Sequence, residues 1–157
     1  AGVETGNRIQ LSGQGEVGPG GGTSGDLYVE IVEIPHEYLL RDENNLHISI
    51  AIPMSSAAIG TTVSIDTFDG PQKVEIKEGT QSGSTFTLKG LGVTRLRGGG
   101  RGDLVVHIEV VIPGKLTREQ TELMKKFAQL RNEDGSKVTV HTNSDQGFFG
   151  KLRNAFR

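Results

Sequence analysis

The fold is decided by a stretch that reads Thr85-Phe-Thr-Leu88, then a glycine-rich loop, then Gly102-Asp-Leu-Val-Val-His-Ile108. The same pattern occurs upstream without a gap, because residues 2–31 align with residues 79–108 at a constant offset of 77 positions. In each copy a short alternating strand enters the loop, and Gly-Asp-Leu opens a longer strand. This repeat of a strand-loop-strand unit predicts two tandem β units.

Further strand signals precede the second copy. Apolar residues alternate over 46–52, 63–65 and 74–76, which predicts three strands. Residues 54–59 allow one helical turn, and Asp69-Gly70 supplies the turn of a hairpin. The second unit is therefore expected to be whole.

The first copy has no such upstream half in this sequence. We therefore expect the first unit to be truncated in the middle. Strands without their partners would leave an exposed sheet edge. The apolar residues expected at that edge are Ile9, Leu11 and Val29.

After Pro113 the pattern changes to that of a helix. Thr117, with Gln120 three residues later, predicts a capping box. An apolar stripe at helical spacing follows, formed by Leu123, Met124, Phe127 and Leu130. Most stripes of this kind cover the core of their own domain, although this one could also form half of a subunit interface. Residues 132–157 indicate a polar linker, with an alternating segment at 138–140, and a terminal amphipathic segment that contains Phe149, Leu152 and Phe156.

The composition excludes several classes of function. The 157 residues include no cysteine, which removes disulfides, cysteine-ligated zinc and thiol catalysis. The net charge of −2 comes from interspersed acidic and basic residues, so neither nucleic acid nor a membrane is expected as a partner. No signal-peptide pattern or membrane span is present, which makes the cytoplasm the default location. The 23 glycines predict many turns between short strands.

No constellation of residues indicates catalysis. Residues 13–18 have the GxGxxG spacing of a dinucleotide site, but a second glycine run and a strand follow where such a site needs a helix. Arg101-Gly-Asp103 spells an adhesion tripeptide, yet its Gly-Asp recurs in the first copy and so belongs to the fold. We expect no enzymatic activity. No metal site is expected either, because no metal-ligand spacing relates His36, His47, His107 and His141.

Several segments together resemble the C-terminal region of bacterial DnaJ co-chaperones. They run in order over about residues 1–130 and include Ala-Gly-Val-Glu-Thr-Gly-Asn-Arg-Ile (1–9), Pro35-His36 followed by Arg41-Asp42, Ala57-Ala-Ile-Gly60, Glu78-Gly-Thr-Gln-Ser-Gly83 and Arg101-Gly-Asp-Leu104. The resemblance implies a mainly β protein with two small β-barrel or sandwich domains in tandem and a C-terminal helical dimerisation region. The implied boundaries are 1–36 for the second half of the first domain, 37–113 for the second domain, 114–131 for the dimerisation helix and 132–157 for the linker and terminal segment.

The resemblance also implies a function. In the family an apolar groove holds non-native polypeptide by strand addition, for delivery to a DnaK-type chaperone. The site residues implied here are Leu39, at a position where the family usually has an aromatic residue, and Tyr38 beside it. Ordinary packing at a domain junction is the alternative role for Leu39. A homodimer is implied through Leu123, Met124, Phe127 and Leu130.

Two parts of the family are missing from this sequence. It contains neither the His-Pro-Asp motif of the J domain nor the CxxCxGxG repeats of the zinc-binding module. We therefore expect no cofactor in these residues, with zinc confined to the missing module, and no stimulation of ATP hydrolysis. A structural or adhesive tandem β protein without a chaperone role is the alternative function.

Overall fold

The computed structural model of the chain describes residues 2–133 and residue 135. These residues form eight strands and two helices: β1 (Arg8–Leu11), β2 (Leu27–Glu30), β3 (Leu40–Asp42), β4 (Asn45–Pro53), α1 (Met54–Ile59), β5 (Thr61–Thr67), β6 (Gly70–Ile76), β7 (Thr85–Leu88), β8 (Leu104–Val111) and α2 (Arg118–Leu130). The predicted mainly β fold is confirmed. The chain divides into two compact units, Ala1–Pro113 and a second that begins at Gly114. Among the described residues, no helix is long and apolar enough to cross a membrane.

A four-stranded sheet forms the centre of the first unit, in the order β3-β4-β8-β7. The strands β4 and β8 are parallel, with Leu46 opposite Leu104, and the other neighbours are antiparallel. Because side chains alternate along a strand, one face of β4 and β8 carries most of the apolar residues of both. This face is buried together with residues of β5, β6 and α1. The core consists of Leu39, Leu46, Ile48, Ile52, Ala57, Ile65, Val74, Ile76, Leu104, Val106 and Ile108.

A tight turn joins β5 to β6, as the sequence predicts. Thr67 lies opposite Gly70, and Phe68 and Asp69 form the turn between them. Gly70 has a φ of 93°, a conformation that side chains other than glycine's rarely adopt. The Thr67 hydroxyl donates a hydrogen bond to the Gly70 carbonyl at 2.7 Å and accepts one from the Asp69 amide at 3.2 Å. The turn therefore holds the Phe68 side chain at the tip of a fixed hairpin.

The internal repeat is confirmed down to single hydrogen bonds. Arg8 pairs with Glu30 in the first copy, and Thr85 pairs with His107 at the corresponding positions of the second. The carboxylate that follows each loop closes it in the same way. The Gly13 amide donates to Asp26 at 3.0 Å, and the Gly90 amide donates to Asp103 at 2.9 Å.

The two copies differ in burial. Val106 on β8 is fully buried, whereas the equivalent Val29 on β2 is 37% exposed. The cause is that β8 pairs with β4 on its second edge, whereas within the described part of the chain β2 pairs with β1 alone. Ile9 and Leu11 on β1 are exposed as well, in agreement with the sheet edge expected from the sequence.

The helix α2 begins at the predicted capping box. The Thr117 hydroxyl accepts a hydrogen bond from the Gln120 amide at 3.2 Å, and the Gln120 side chain accepts one from the Thr117 amide at 2.8 Å. Two orphan amides at the start of the helix are thereby satisfied. The predicted alternating segment at 138–140 and terminal segment with Phe149, Leu152 and Phe156 lie outside the described residues.

Candidate functional site

The predicted site residues Tyr38 and Leu39 belong to the segment that connects β2 to β3, residues 31–39, which we call the junction segment. Two depressions lie at its end. Leu39 lines the first and Tyr38 lines the second, whereas Leu40 and Arg41 line both.

The first depression is a cavity of about 420 Å³ with a mainly apolar wall. Ile34 and Pro35 of the junction segment face Phe68 from the β5–β6 turn, and Leu39 and Leu46 belong to the core below it. Its complete lining is Thr5, Glu33, Ile34, Pro35, His36, Leu39, Leu40, Arg41, Leu46, Phe68 and Val93. Apolar concavities with a few polar groups are typical binding sites in proteins.

His36 organises the aromatic side chains around this cavity. Its ring centroid lies 4.6 Å from that of Tyr38 and 5.4 Å from that of Phe68, and both contacts are edge-to-face. Its Nδ1 accepts long hydrogen bonds from the amides of Tyr38 and Leu39, each at 3.4 Å. These contacts hold the turn in which successive side chains enter different depressions.

The structure places the two predicted contact residues in different environments. Leu39 is only 5% exposed and forms part of the core, which favours the packing role, and its contact with a bound polypeptide stays a prediction. Tyr38 is half exposed, and the neighbouring Leu40 is more exposed still.

Sequence reasoning missed Ile34 and Phe68, which are 92% and 67% exposed at the edge of the cavity. The available signal was the aromatic residue inside the turn Phe68-Asp-Gly70, where turn residues are normally small or polar.

Arg41 joins the junction segment to the beginning of the chain. Its guanidinium donates to the carbonyls of Val3 at 2.8 Å and Gly2 at 3.1 Å, and it also hydrogen-bonds the Glu33 carboxylate. The Thr5 hydroxyl accepts a further bond from the Glu33 amide at 2.9 Å. The hydrogen bonds to Glu33, first from Arg41 and then from the Thr5 amide, lower the pKa of that carboxyl group. This network fixes one wall of the cavity.

The second depression is a groove of about 630 Å³ over the outer face of the sheet. It contains two histidines, His47 on β4 and His107 on β8, whose Nδ1 and Nε2 atoms lie 2.9 Å apart. The ring centroids are 5.2 Å apart and the planes differ by 25°, so the rings meet edge to edge along this bond. His47 Nε2 is buried without a hydrogen-bond partner, and the Asp42 carboxylate lies 3.8 Å away. The remaining lining residues are Tyr38, Leu40, Arg41 and Ser49.

The sequence contains no signal that pairs these two histidines. They meet because Ser49 lies opposite His107 in the parallel ladder, which puts His47 diagonally across from His107. Within residues 2–133 and 135, no group of three or more histidine, cysteine or acidic side chains converges as a metal site.

The four predicted dimerisation residues lie together on α2. Leu123, Met124, Phe127 and Leu130 are all exposed in the single chain. The Arg131 guanidinium lies 5.6 Å from the centre of the Phe127 ring, a cation–π distance. Their contact with a second copy stays a prediction.

Comparison with known proteins gives a consistent result. The family model described as DnaJ C terminal domain matches residues 1–113. The chain is 53% identical to Chaperone protein DnaJ 2 of Streptomyces coelicolor, 51% identical to Chaperone protein DnaJ 1 of Nocardia farcinica and 43% identical to Chaperone protein DnaJ 2 of Mycobacterium tuberculosis. Each match covers 99% of this chain and 41% of the relative, so the chain spans about two fifths of the length of these proteins.

Proposed function

Because the chain belongs to the DnaJ C terminal domain family, we propose that it is the part of a co-chaperone that holds non-native polypeptide for delivery to a DnaK-type chaperone. The observation that carries this proposal is the set of exposed apolar side chains around the junction segment. We call these residues the client surface: Ile34, Tyr38, Leu40 and Phe68.

The client surface suits an unfolded chain, which exposes large apolar side chains that a native protein buries. Complete burial of one such side chain contributes about 1.5–3 kcal/mol, and ordering of the client offsets part of that gain. The strand β3 lies at the edge of the four-stranded sheet, beside this surface. We propose that the client adds to this edge as a strand and places an apolar side chain in the cavity.

Two neighbouring residues of the junction segment provide a matched test. Ile34 lines the cavity, whereas Val32 is also exposed but lines neither depression. We expect Ile34→Ser to weaken binding of a labelled, permanently unfolded protein about tenfold, which corresponds to about 1.4 kcal/mol. Fluorescence anisotropy of the labelled client gives the affinity.

Val32→Ser is the control and should bind like the wild type. An equal loss of affinity in both variants would indicate non-specific hydrophobic binding. An unchanged affinity of Ile34→Ser would show that the cavity does not bind the client. Leu39→Asp is unsuitable as a test because it would bury a charge in the core. Phe68→Ser is a second surface variant and should weaken binding similarly.

We further propose that α2 pairs two copies of the chain through Leu123, Met124, Phe127 and Leu130. Two linked copies present two client surfaces, which raises the effective affinity for a long unfolded chain. The proposed role involves no enzymatic step and no cofactor in these residues, and it belongs in the cytoplasm, where DnaK-type chaperones receive clients.

A further inference from the structure

The two glycine loops of the repeat share one backbone structure. We call residues 12–24 the first loop and residues 89–101 the second loop. A bridge joins Val17 to Ser24 in the first and Thr94 to Arg101 in the second. The hydrogen bonds at the loop ends also correspond. The Gly15 amide donates to the Gly25 carbonyl at 2.7 Å, and the Gly92 amide donates to the Gly102 carbonyl at 2.8 Å.

The loops differ sharply in charge. The first contains Glu16 as its only charged residue, whereas the second contains four basic residues and no acidic one. The chain as a whole carries −2. The basic residues Lys89, Arg95, Arg97 and Arg101 replace Ser12, Gly18, Gly20 and Ser24 of the first loop. Because the first loop forms the same backbone without them, the fold does not require this charge.

One of the four basic residues has a structural partner. Arg101 donates from Nη1 to Asp69 Oδ1 at 2.7 Å and from Nε to the Gly92 carbonyl at 2.8 Å. The bond from Arg101 lowers the pKa of Asp69. Arg101 therefore anchors the second loop to the β5–β6 turn.

The other three basic residues are exposed. In the described part of the chain, Lys89, Arg95 and Arg97 take part in no ion pair. The Arg95 amide donates to the Gly100 carbonyl at 3.0 Å. This bond closes the tip of the loop, which contains both Arg95 and Arg97. Leu96, between them, is also exposed.

We propose that the second loop binds an acidic, extended polypeptide segment. Carboxylates of the segment would pair with Arg95, Arg97 and Lys89, and an apolar side chain would contact Leu96. A nucleic acid fits less well, because the loop has no aromatic residue for base stacking and the chain is acidic overall. The proposed contact residues Lys89, Arg95, Leu96 and Arg97 line neither of the two depressions, so this site differs from the client surface.

Fluorescence anisotropy with a short labelled peptide of alternating Glu and Leu tests the proposal on the whole chain. Arg95→Gly/Arg97→Gly gives the second loop the residues that the first loop has at the equivalent positions, Gly18 and Gly20. Its affinity for the peptide should fall about fivefold to tenfold, because exposed ion pairs contribute little each. Raising the salt from about 0.05 M to about 0.5 M should weaken wild-type binding more than binding by this variant.

Two controls separate this site from general charge effects. Lys125→Gln/Lys126→Gln removes the same charge from α2 and should leave the affinity unchanged. A peptide with Gln in place of Glu should bind the wild type and Arg95→Gly/Arg97→Gly with equal affinity. In a Phe68→Ser background, the loss of acidic-peptide affinity caused by Arg95→Gly/Arg97→Gly should persist.

Equal peptide affinity in wild type and Arg95→Gly/Arg97→Gly would overturn the proposal, as would tighter binding of single-stranded RNA than of the peptide. Arg95→Gln/Arg97→Gln keeps the side-chain length and provides the same comparison if the glycine variant does not fold.

Discussion

Arg41 shows how one side chain can fix the shape of a binding cavity. Its guanidinium bonds two carbonyls at the start of the chain, the carbonyl of Glu43 and the carboxylate of Glu33. The side chain is only 19% exposed, so these bonds are largely shielded from water. The sequence indicated Arg41 only as part of a family motif, because its partners lie up to 39 positions away.

Arg41→Gln should therefore destabilise the first unit. Several acceptors lose their donor at once, and we expect a cost of about 1–3 kcal/mol in the free energy of unfolding. Urea denaturation followed by circular dichroism gives this value. The matched control is Arg8→Gln, whose exposed pair with Glu30 should contribute less than about 1 kcal/mol. Equal effects of the two substitutions would contradict this role of Arg41.

The lowered pKa of Glu33 predicts a specific response to acid. A carboxyl group whose pKa is lower in the folded state stabilises the fold above its unfolded pKa. That stability is lost as the pH falls from the ordinary value of 4.5 through the folded-state pKa. Glu33→Gln should accordingly reduce the loss of stability between neutral pH and acid. Urea denaturation at several pH values tests this. If the free energy of unfolding of Glu33→Gln depends on pH as in the wild type, Glu33 does not contribute to the acid response.

At the scale of elements, the alternation of apolar residues predicted the strands and the glycines predicted the turns. The strand β4, the helix α1 and the β5–β6 turn all lie where the sequence indicated them. Local patterns carry no register between distant strands, so the meeting of His47 with His107 was not predictable. The contact between Phe68 and His36 was not predictable for the same reason, since His36 belongs to another element.

The helix α2 carries the prediction of dimerisation. Phe127→Ser/Leu130→Ser removes two of its four exposed apolar side chains and should weaken dimerisation by about 2–4 kcal/mol. Light scattering over a range of protein concentrations gives the mass. Lys125→Gln changes the opposite side of the helix and should leave the dimer intact. A wild-type mass equal to that of one chain at high concentration would contradict the dimer.

At the scale of the whole molecule, the two copies of the repeat show that the local sequence determines strand register, whereas neighbouring strands determine burial. Equivalent residues give equal strand registers in both copies. Among the described residues, however, β8 has a neighbouring strand on each edge, whereas β2 has one neighbour, β1. Backbone amides of β2 should therefore exchange with solvent much faster than the equivalent amides of β8. Hydrogen exchange by NMR measures both in one sample, and equal protection would show that the first copy has a partner in solution.

The central claim is that the client surface holds non-native polypeptide, and chemical-shift mapping with an unfolded client peptide tests it most directly. Addition of the peptide to the labelled chain should shift the signals of Ile34, Tyr38, Leu40 and Phe68 the most. The signals of α2 and of Arg95 and Arg97, which line neither depression, should move little. Large shifts confined to β1–β2 or to α2, with the client surface unchanged, would contradict the claim.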